Sequence, residues 1–154
     1  MDRVIAYMLT WTTYGTWLQG DPRGYVKKGR AFGPNSALFK ANQSILRSEP
    51  VYLSDRHREI TRQAIGSEAA ELGQTVLALQ VGRKHIHLVV NCGQISPQKA
   101  VSHYKNAARI ALSKEGLSGR IWTRGYSKRL CFDGLQLKTV MAYVQNHELE
   151  PQDF

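Results

Sequence analysis

Lys84-His85-Ile86-His87-Leu88-Val89-Val90 lies near the middle of this 154-residue chain and has the pattern of a β-strand. Side chains alternate between the two faces of a strand, so His85 and His87 share one face, whereas Ile86 and Leu88 point to the other, into a core. Two imidazoles side by side can bind one divalent metal ion. The same pattern also fits two partly exposed strand histidines, and this stretch alone leaves both interpretations open.

Length and charge limit the possible functions. The length of 154 residues predicts a single domain, 1–154, and the hydrophobic content of 42% is ordinary for a globular protein. The net charge is +9, and the segment between Val81 and Leu130 supplies all of it, with ten basic residues and one acidic residue. This concentration of charge predicts a polyanionic partner such as nucleic acid. A membrane surface is the competing partner, but the sequence shows no basic amphipathic helix with a large aromatic face.

The cysteines and the N-terminal residues predict a cytoplasmic protein, and a nucleic-acid partner would make it nucleoid-associated. Cys92 and Cys131 are far apart and form no C-x-x-C pair, so we expect reduced thiols. The apolar run after Arg3 is interrupted by threonines from Thr10 onwards, unlike a signal peptide, and no stretch approaches transmembrane length.

The element order predicts an α+β fold of the ferredoxin-like split βαβ type. We expect a strand at Val4–Thr12 buried on both faces, a helix capped by Ser54, strands at Thr75–Val81 and His85–Asn91, a helix capped by Ser96-Pro97, a strand at Tyr126–Phe132, and a last helix from Asp133-Gly134. This order gives a four-stranded antiparallel sheet whose first strand is internal.

A long loop insertion, 19–50, separates the first strand from the first helix. It contains proline and glycine turns and shows no clear periodicity, and a loop of this length in a compact domain is usually functional or poorly ordered. Its basic residues could contact phosphates or simply form a solvated surface; they are Arg23, Lys27, Lys28 and Arg30.

Several residues of the basic segment are candidates for contact with nucleic acid. Lys105 and Arg109 lie on the polar side of the second predicted helix, where they could follow a phosphate backbone. Trp122 and Tyr126 could stack on unpaired bases if exposed, or be core aromatics if buried. The remaining basic candidates for DNA binding are Arg83, Lys84 and Arg124.

Three segments, in this order, resemble the small single-tyrosine HUH transposases, which include the IS200-like and the REP-associated tyrosine transposases. They are the histidine strand His85–Val90, the segment Ile121–Tyr126, and Tyr143-Val144-Gln145-Asn146-His147. The opening segment Leu9–Leu18 is similar to one branch of these proteins. The resemblance covers most of the chain, except the loop after Leu18.

The resemblance implies a chemistry on single-stranded or hairpin DNA at the ends of a mobile or repetitive element. His85 and His87 would bind Mg²⁺ or Mn²⁺, and Tyr143 would attack the scissile phosphate to form a 5′-phosphotyrosine link and a free 3′-hydroxyl. Among the seven tyrosines, only Tyr143 is predicted to combine a helix, an edge-of-core position and a metal-capable side chain one turn away.

One ligand departs from the family pattern. His147 stands where many members have Gln as the third ligand, which favours Mn²⁺ or Zn²⁺ over Mg²⁺. The tyrosine motif also lacks the Asn-Pro of many REP-associated members. The sequence therefore leaves open whether the protein is a monomer or a homodimer, and whether the tyrosine serves its own chain or a partner.

Two other classes are considered. A histidine-triad nucleotide hydrolase would need a third alternating histidine, and that position holds Val89. A non-catalytic or domesticated single-stranded nucleic-acid-binding domain derived from a transposase remains an alternative.

Overall fold

The computed structural model describes residues 3–16, 25–27, 30–32 and 50–145, and it has the predicted α+β fold. The strands are β1 (Ala6–Thr12), β2 (Tyr25–Lys27), β3 (Arg30–Phe32), β4 (Thr75–Val81), β5 (His85–Asn91) and β6 (Ser127–Cys131). The helices are α1 (Asp55–Glu71), α2 (Pro97–Ser113) and α3 (Gly134–Gln145). Four strands form an antiparallel sheet in the order β4-β5-β1-β6, as the split βαβ arrangement requires.

Strand β1 is internal, as predicted, and pairs with β5 on one side and β6 on the other. Leu9 and Trp11 are completely or almost completely buried on one face. The predicted burial on both faces is wrong for the end of the strand, because Thr10 and Thr12 are only half-buried on the opposite face. That face is therefore polar near the end of β1.

Helices α1 and α2 cover one face of the sheet. The hydroxyl of Ser54 accepts from the backbone N–H of His57 and caps α1, and Ser96 caps α2 in the same way through Lys99. Gly73 follows α1 with a φ of +67°, a conformation that glycine adopts without steric cost. Together the helices and the sheet bury one large core; among its members are Leu9, Trp11, Ile65, Ile86, Leu88, Tyr104, Leu112 and Trp122.

Helix α3 packs against the other face of the sheet. It begins where the sequence predicts, with the Asp133 carboxylate accepting from the backbone N–H of Gln136 at 2.8 Å. Val140 and Val144 are buried there in a second, smaller core with Ala78 and Val89. The helix thus crosses the face of β5 on which the two histidines lie.

Two short strands in the 19–50 segment were not predicted. Strands β2 and β3 form a separate antiparallel hairpin, with Tyr25 opposite Phe32. Lys27 and Arg30 belong to these strands, whereas Arg23 and Lys28 lie outside the described residues. Within the part of the chain that the structure describes, none of the helices has the length and apolarity needed to cross a membrane.

Candidate metal and tyrosine site

His85 and His87 lie side by side on β5, facing α3. Their ring centroids are 4.7 Å apart, with an interplanar angle of 64°. The alternation of the strand fixes this arrangement, because Ile86 and Leu88 are fully buried in the large core on the opposite face. His87 is only 8% exposed, whereas His85 is half-buried.

Thr10 on the neighbouring strand contacts His87 directly. The two residues are opposite each other in the β1–β5 register, and the distance between Thr10 Oγ1 and His87 Nδ1 is 3.0 Å. The sequence analysis missed Thr10 because it treated β1 as buried on both faces. The signal was present in Leu9-Thr10-Trp11-Thr12, whose period of two puts both threonines on the face opposite the bulky apolar residues.

Tyr143 lies on α3 above the same face of the sheet. Val140 and Val144 are buried and hold the helix in place, whereas Tyr143 is 51% exposed. Its ring centroid is 6.0 Å from that of His87, and the two rings are nearly perpendicular, at 80°. The helical stripe predicted from sequence therefore places a phenol beside the histidine pair.

The histidine pair has the donor chemistry and placement for two ligands of a divalent metal ion. The Thr10 hydroxyl can either accept from Nδ1 of His87 or donate to it, and the tautomer decides which; in the Nδ1–H tautomer, Nε2 carries the lone pair that a metal ligand needs. Among residues 3–16, 25–27, 30–32 and 50–145, no cluster of three or more His, Cys, Asp or Glu residues could hold a metal ion. His147, the predicted third ligand, lies outside these ranges.

The Lys105 side chain stabilises a loop of the same chain through two hydrogen bonds. Its Nζ donates to the backbone carbonyls of Thr123 at 2.9 Å and Gly125 at 2.7 Å. Burial lowers the pKa of Lys105 to about 8. Both bonds tie the ammonium to the segment between α2 and β6, a structural role that the sequence analysis did not predict. Its contact with a phosphate stays a prediction.

Arg83 and Lys84 also make contacts within the fold. The guanidinium of Arg83 donates to the Leu53 carbonyl at 3.4 Å and to the Asp55 carboxylate at 3.0 Å. The Lys84 side chain is buried, with 7% exposure, and its carbonyl accepts from the backbone N–H of Thr13. Their predicted role in DNA binding is not supported by these positions.

Trp122 is a core residue, which corrects its predicted role in base stacking. It is 7% exposed, and its indole N–H donates to the Lys105 carbonyl at 3.0 Å. It also meets Trp11 edge to face, with centroids 6.2 Å apart. Tyr126 packs partly buried against the same core, and burial raises its pKa. Of the two alternatives for these aromatics, the structure favours the core.

Two of the predicted basic candidates, Arg109 and Arg124, are exposed. Arg109, on α2, donates to the Asn106 side chain at 2.9 Å, and Arg124 lies in the segment before β6. On the histidine face the sequence analysis missed Arg129, which is exposed on β6 opposite Met8, a residue of the small core under α3. Its neighbour Lys128 is opposite Leu9 and therefore points to the other face.

Comparisons with known proteins show the family and support the fold. A family model described as "Transposase IS200 like" matches residues 45–147, more than half of the chain. A REP-associated tyrosine transposase bound to a REP hairpin is similar in fold, with 13% identity and a TM-score of 0.53 over 94% of this chain and 67% of that one. A crystal structure of a protein from Deinococcus radiodurans R1, assigned as a transposase, has 15% identity and a TM-score of 0.54 over 97% and 95% of the two chains. No curated protein sequence matches the chain.

Proposed function

The chain belongs to the IS200-like transposase family, and we propose that it cuts and rejoins single-stranded, hairpin-associated DNA through a covalent bond to Tyr143. The observation that carries this proposal is the position of Tyr143 beside His87, on the face of the sheet that also holds His85. A phenol on a rigid helix next to two imidazoles is the arrangement that a tyrosine nucleophile and a metal site would need.

The proposed reaction exchanges one phosphodiester for another. The Tyr143 oxygen attacks the scissile phosphorus, a bond forms between them, and the bond from phosphorus to the 3′-oxygen breaks. The phenol proton passes to solvent, and the departing 3′-oxygen takes up a proton to become a hydroxyl. The products are a 5′-phosphotyrosine and a 3′-hydroxyl, and attack by a 3′-hydroxyl reverses the step without an external energy source.

His85 and His87 would hold Mg²⁺ or Mn²⁺, with His147 as a third ligand. When bound, the ion would polarise the scissile phosphate and offset the negative charge that develops during attack. The paired strand β5 holds the two imidazoles side by side.

The contact between Tyr143 and His87 lies within one chain. It supports a site in which the tyrosine serves the histidines of its own protomer, in a monomer or in either half of a homodimer. The proposed partner is single-stranded or hairpin DNA at the ends of a mobile or repetitive element. The basic excess between Val81 and Leu130 supports an anionic partner of this kind.

The test is a covalent capture assay. Because the protein would be linked to the 5′-phosphate of the downstream fragment, the strand is labelled at its 3′ end. The substrates are hairpin-bearing single strands with randomised flanks, incubated with Mn²⁺ and separated on a denaturing gel. We expect wild type to give a protein-linked band and Tyr143→Phe to give none while folding normally.

Tyr52→Phe is the matched control, since Tyr52 is 54% exposed and precedes α1, which lies on the opposite side of the sheet. This variant should keep the band. A band from Tyr143→Phe would assign the nucleophile to another residue. Absence of a band from wild type on the whole substrate pool would favour the non-catalytic nucleic-acid-binding domain.

A further inference from the structure

The hydrogen bond between Thr10 and His87 joins two strands whose residues are 77 positions apart in sequence. Both strands are internal in the sheet, so the backbone on either side of the contact is fixed by paired neighbours. The β-branched side chain of threonine has few accessible rotamers, so its hydroxyl has a defined direction. The hydroxyl thus gives the His87 ring a rigid partner.

We propose that Thr10 is a positioning residue for His87, whose hydroxyl accepts from Nδ1–H and so fixes the ring in the tautomer that leaves Nε2 to bind a divalent metal ion. The inference rests on the proposed function, because it assigns a role to Thr10 in the proposed metal site. A neutral imidazole carries one proton, on either nitrogen, and only the unprotonated nitrogen can be a ligand. Partners of this kind commonly set the orientation of metal-binding histidines.

The neighbouring pair provides an internal contrast. Thr12 is opposite His85 in the same register and on the same face, and it is half-buried like Thr10. Within the described part of the chain, the Thr12 hydroxyl makes no side-chain hydrogen bond. The register therefore places Thr10 opposite His87 and Thr12 opposite His85. Of these two pairs, it is Thr10 and His87 that form a hydrogen bond between their side chains.

The experiment compares wild type with Thr10→Val, Thr10→Ser and Thr12→Val. Valine keeps the shape of threonine and removes the hydroxyl, whereas serine keeps the hydroxyl. The first measurement is the tautomer of His87 in the metal-free protein, read from imidazole ¹⁵N NMR at about pH 8, where an ordinary imidazole is neutral. The second measurement is Mn²⁺ affinity by calorimetry without DNA.

We expect the Nδ1–H tautomer in wild type, Thr10→Ser and Thr12→Val, with similar Mn²⁺ affinity in all three. Thr10→Val should lose the fixed tautomer and bind Mn²⁺ about 10- to 100-fold more weakly, the usual effect of removing such a partner. If the Thr10 hydrogen bond only stabilised the fold, Thr10→Val would be less stable but would keep the Mn²⁺ affinity of wild type. That result would overturn the proposal.

An Nε2–H tautomer in wild type would also overturn the proposal, whatever the behaviour of the variants. If Thr10→Val fails to fold, the His87 tautomer in wild type and in Thr10→Ser still tests the proposal, because it must be the Nδ1–H form in both proteins. Absence of Mn²⁺ binding in wild type, with the Nδ1–H form present and lost in Thr10→Val, would refute the metal site of the proposed function but retain the control of the tautomer by Thr10.

Discussion

The ring of Tyr143 meets the ring of His87 edge-on, with centroids 6.0 Å apart. The contact joins α3 to β5, and the burial of Val140 and Val144 holds the helix against the sheet. A change that loosens the packing of these two valines would therefore move Tyr143 relative to His85 and His87 without altering any of the three side chains of the proposed site.

Replacement of His87 by alanine should abolish Mn²⁺-dependent cleavage and leave most DNA binding intact. The variant loses one of the two proposed ligands that the structure describes, whereas binding to DNA would be distributed over many cations. The measurements are Mn²⁺ calorimetry and DNA binding by anisotropy. His103→Ala is the control, because His103 is an exposed residue of α2 paired with Glu68 and should not affect Mn²⁺ binding. Unchanged Mn²⁺ affinity in His87→Ala would refute the metal assignment.

Single-stranded and hairpin DNA should bind more tightly than a blunt duplex of equal length. The proposed attack needs the phosphate beside Tyr143 and His87, and a flexible strand can adapt to this site more easily than a stiff duplex. Affinity should fall steeply with salt. The duplex stem of a hairpin could extend along α2, so Arg109→Ala should reduce the slope of log K against log salt by about 1 for hairpin DNA and leave it unchanged for an unpaired strand.

The control for Arg109 is Arg56→Ala, since the Arg56 guanidinium is already paired with Glu115 at 3.2 Å. This variant should leave the slope close to that of wild type. Equal affinity for duplex and single strand would contradict the proposed substrate class.

Arg129 and Lys128 form a matched pair for locating the path of the DNA. Both are exposed on β6, but Arg129 lies on the histidine face and Lys128 on the face of α1 and α2. We expect Arg129→Gln to reduce the salt slope by about 0.7, the loss of one contact with single-stranded DNA, and Lys128→Gln to leave it unchanged. Anisotropy titrations over a range of salt concentrations provide the measurement; a larger effect at Lys128 would place the strand on the other face.

Lys105 should make stability rise with pH. Burial lowers its pKa from 10.5 to about 8 in the folded chain, so between these values the unfolded chain binds more protons than the folded chain. The free energy of unfolding should therefore increase across this window, by about 1 to 2 kcal/mol for a partly buried group. Urea denaturation at several pH values measures it, with Lys105→Met as the comparison. The same increase in both proteins would exclude Lys105 as its source.

Local periodicity was sufficient to predict the elements that form the candidate site. The period of two in His85–Val90 correctly predicted that both histidines lie on the face of β5 opposite the large core. The apolar stripe of α3 through Val140 and Val144 correctly predicted that Tyr143 lies at the edge of that stripe. The order of the elements gave the sheet topology, since the split βαβ arrangement has few alternatives. These features depend on residues close in sequence or on general rules of connection.

The contacts that the sequence left open or did not predict join distant parts of the chain. Trp122 is buried because its segment pairs with β1 through Thr13 and packs against Trp11, more than a hundred positions earlier. Lys105 is occupied by carbonyls of the same segment. The β2–β3 hairpin has only three residues per strand, too few for a periodic signal.

The position of β1 in the sheet has a consequence for protein synthesis. Its partners β5 and β6 leave the ribosome long after it, so Leu9 and Trp11 remain uncovered until most of the chain exists. Thr10 and His87 can meet only when β5 has emerged, and Tyr143 follows later still. A product of interrupted translation that ends before α3 would hold the histidines but lack the proposed nucleophile. In the proposed chemistry, such an unfinished chain could not form the covalent bond to DNA.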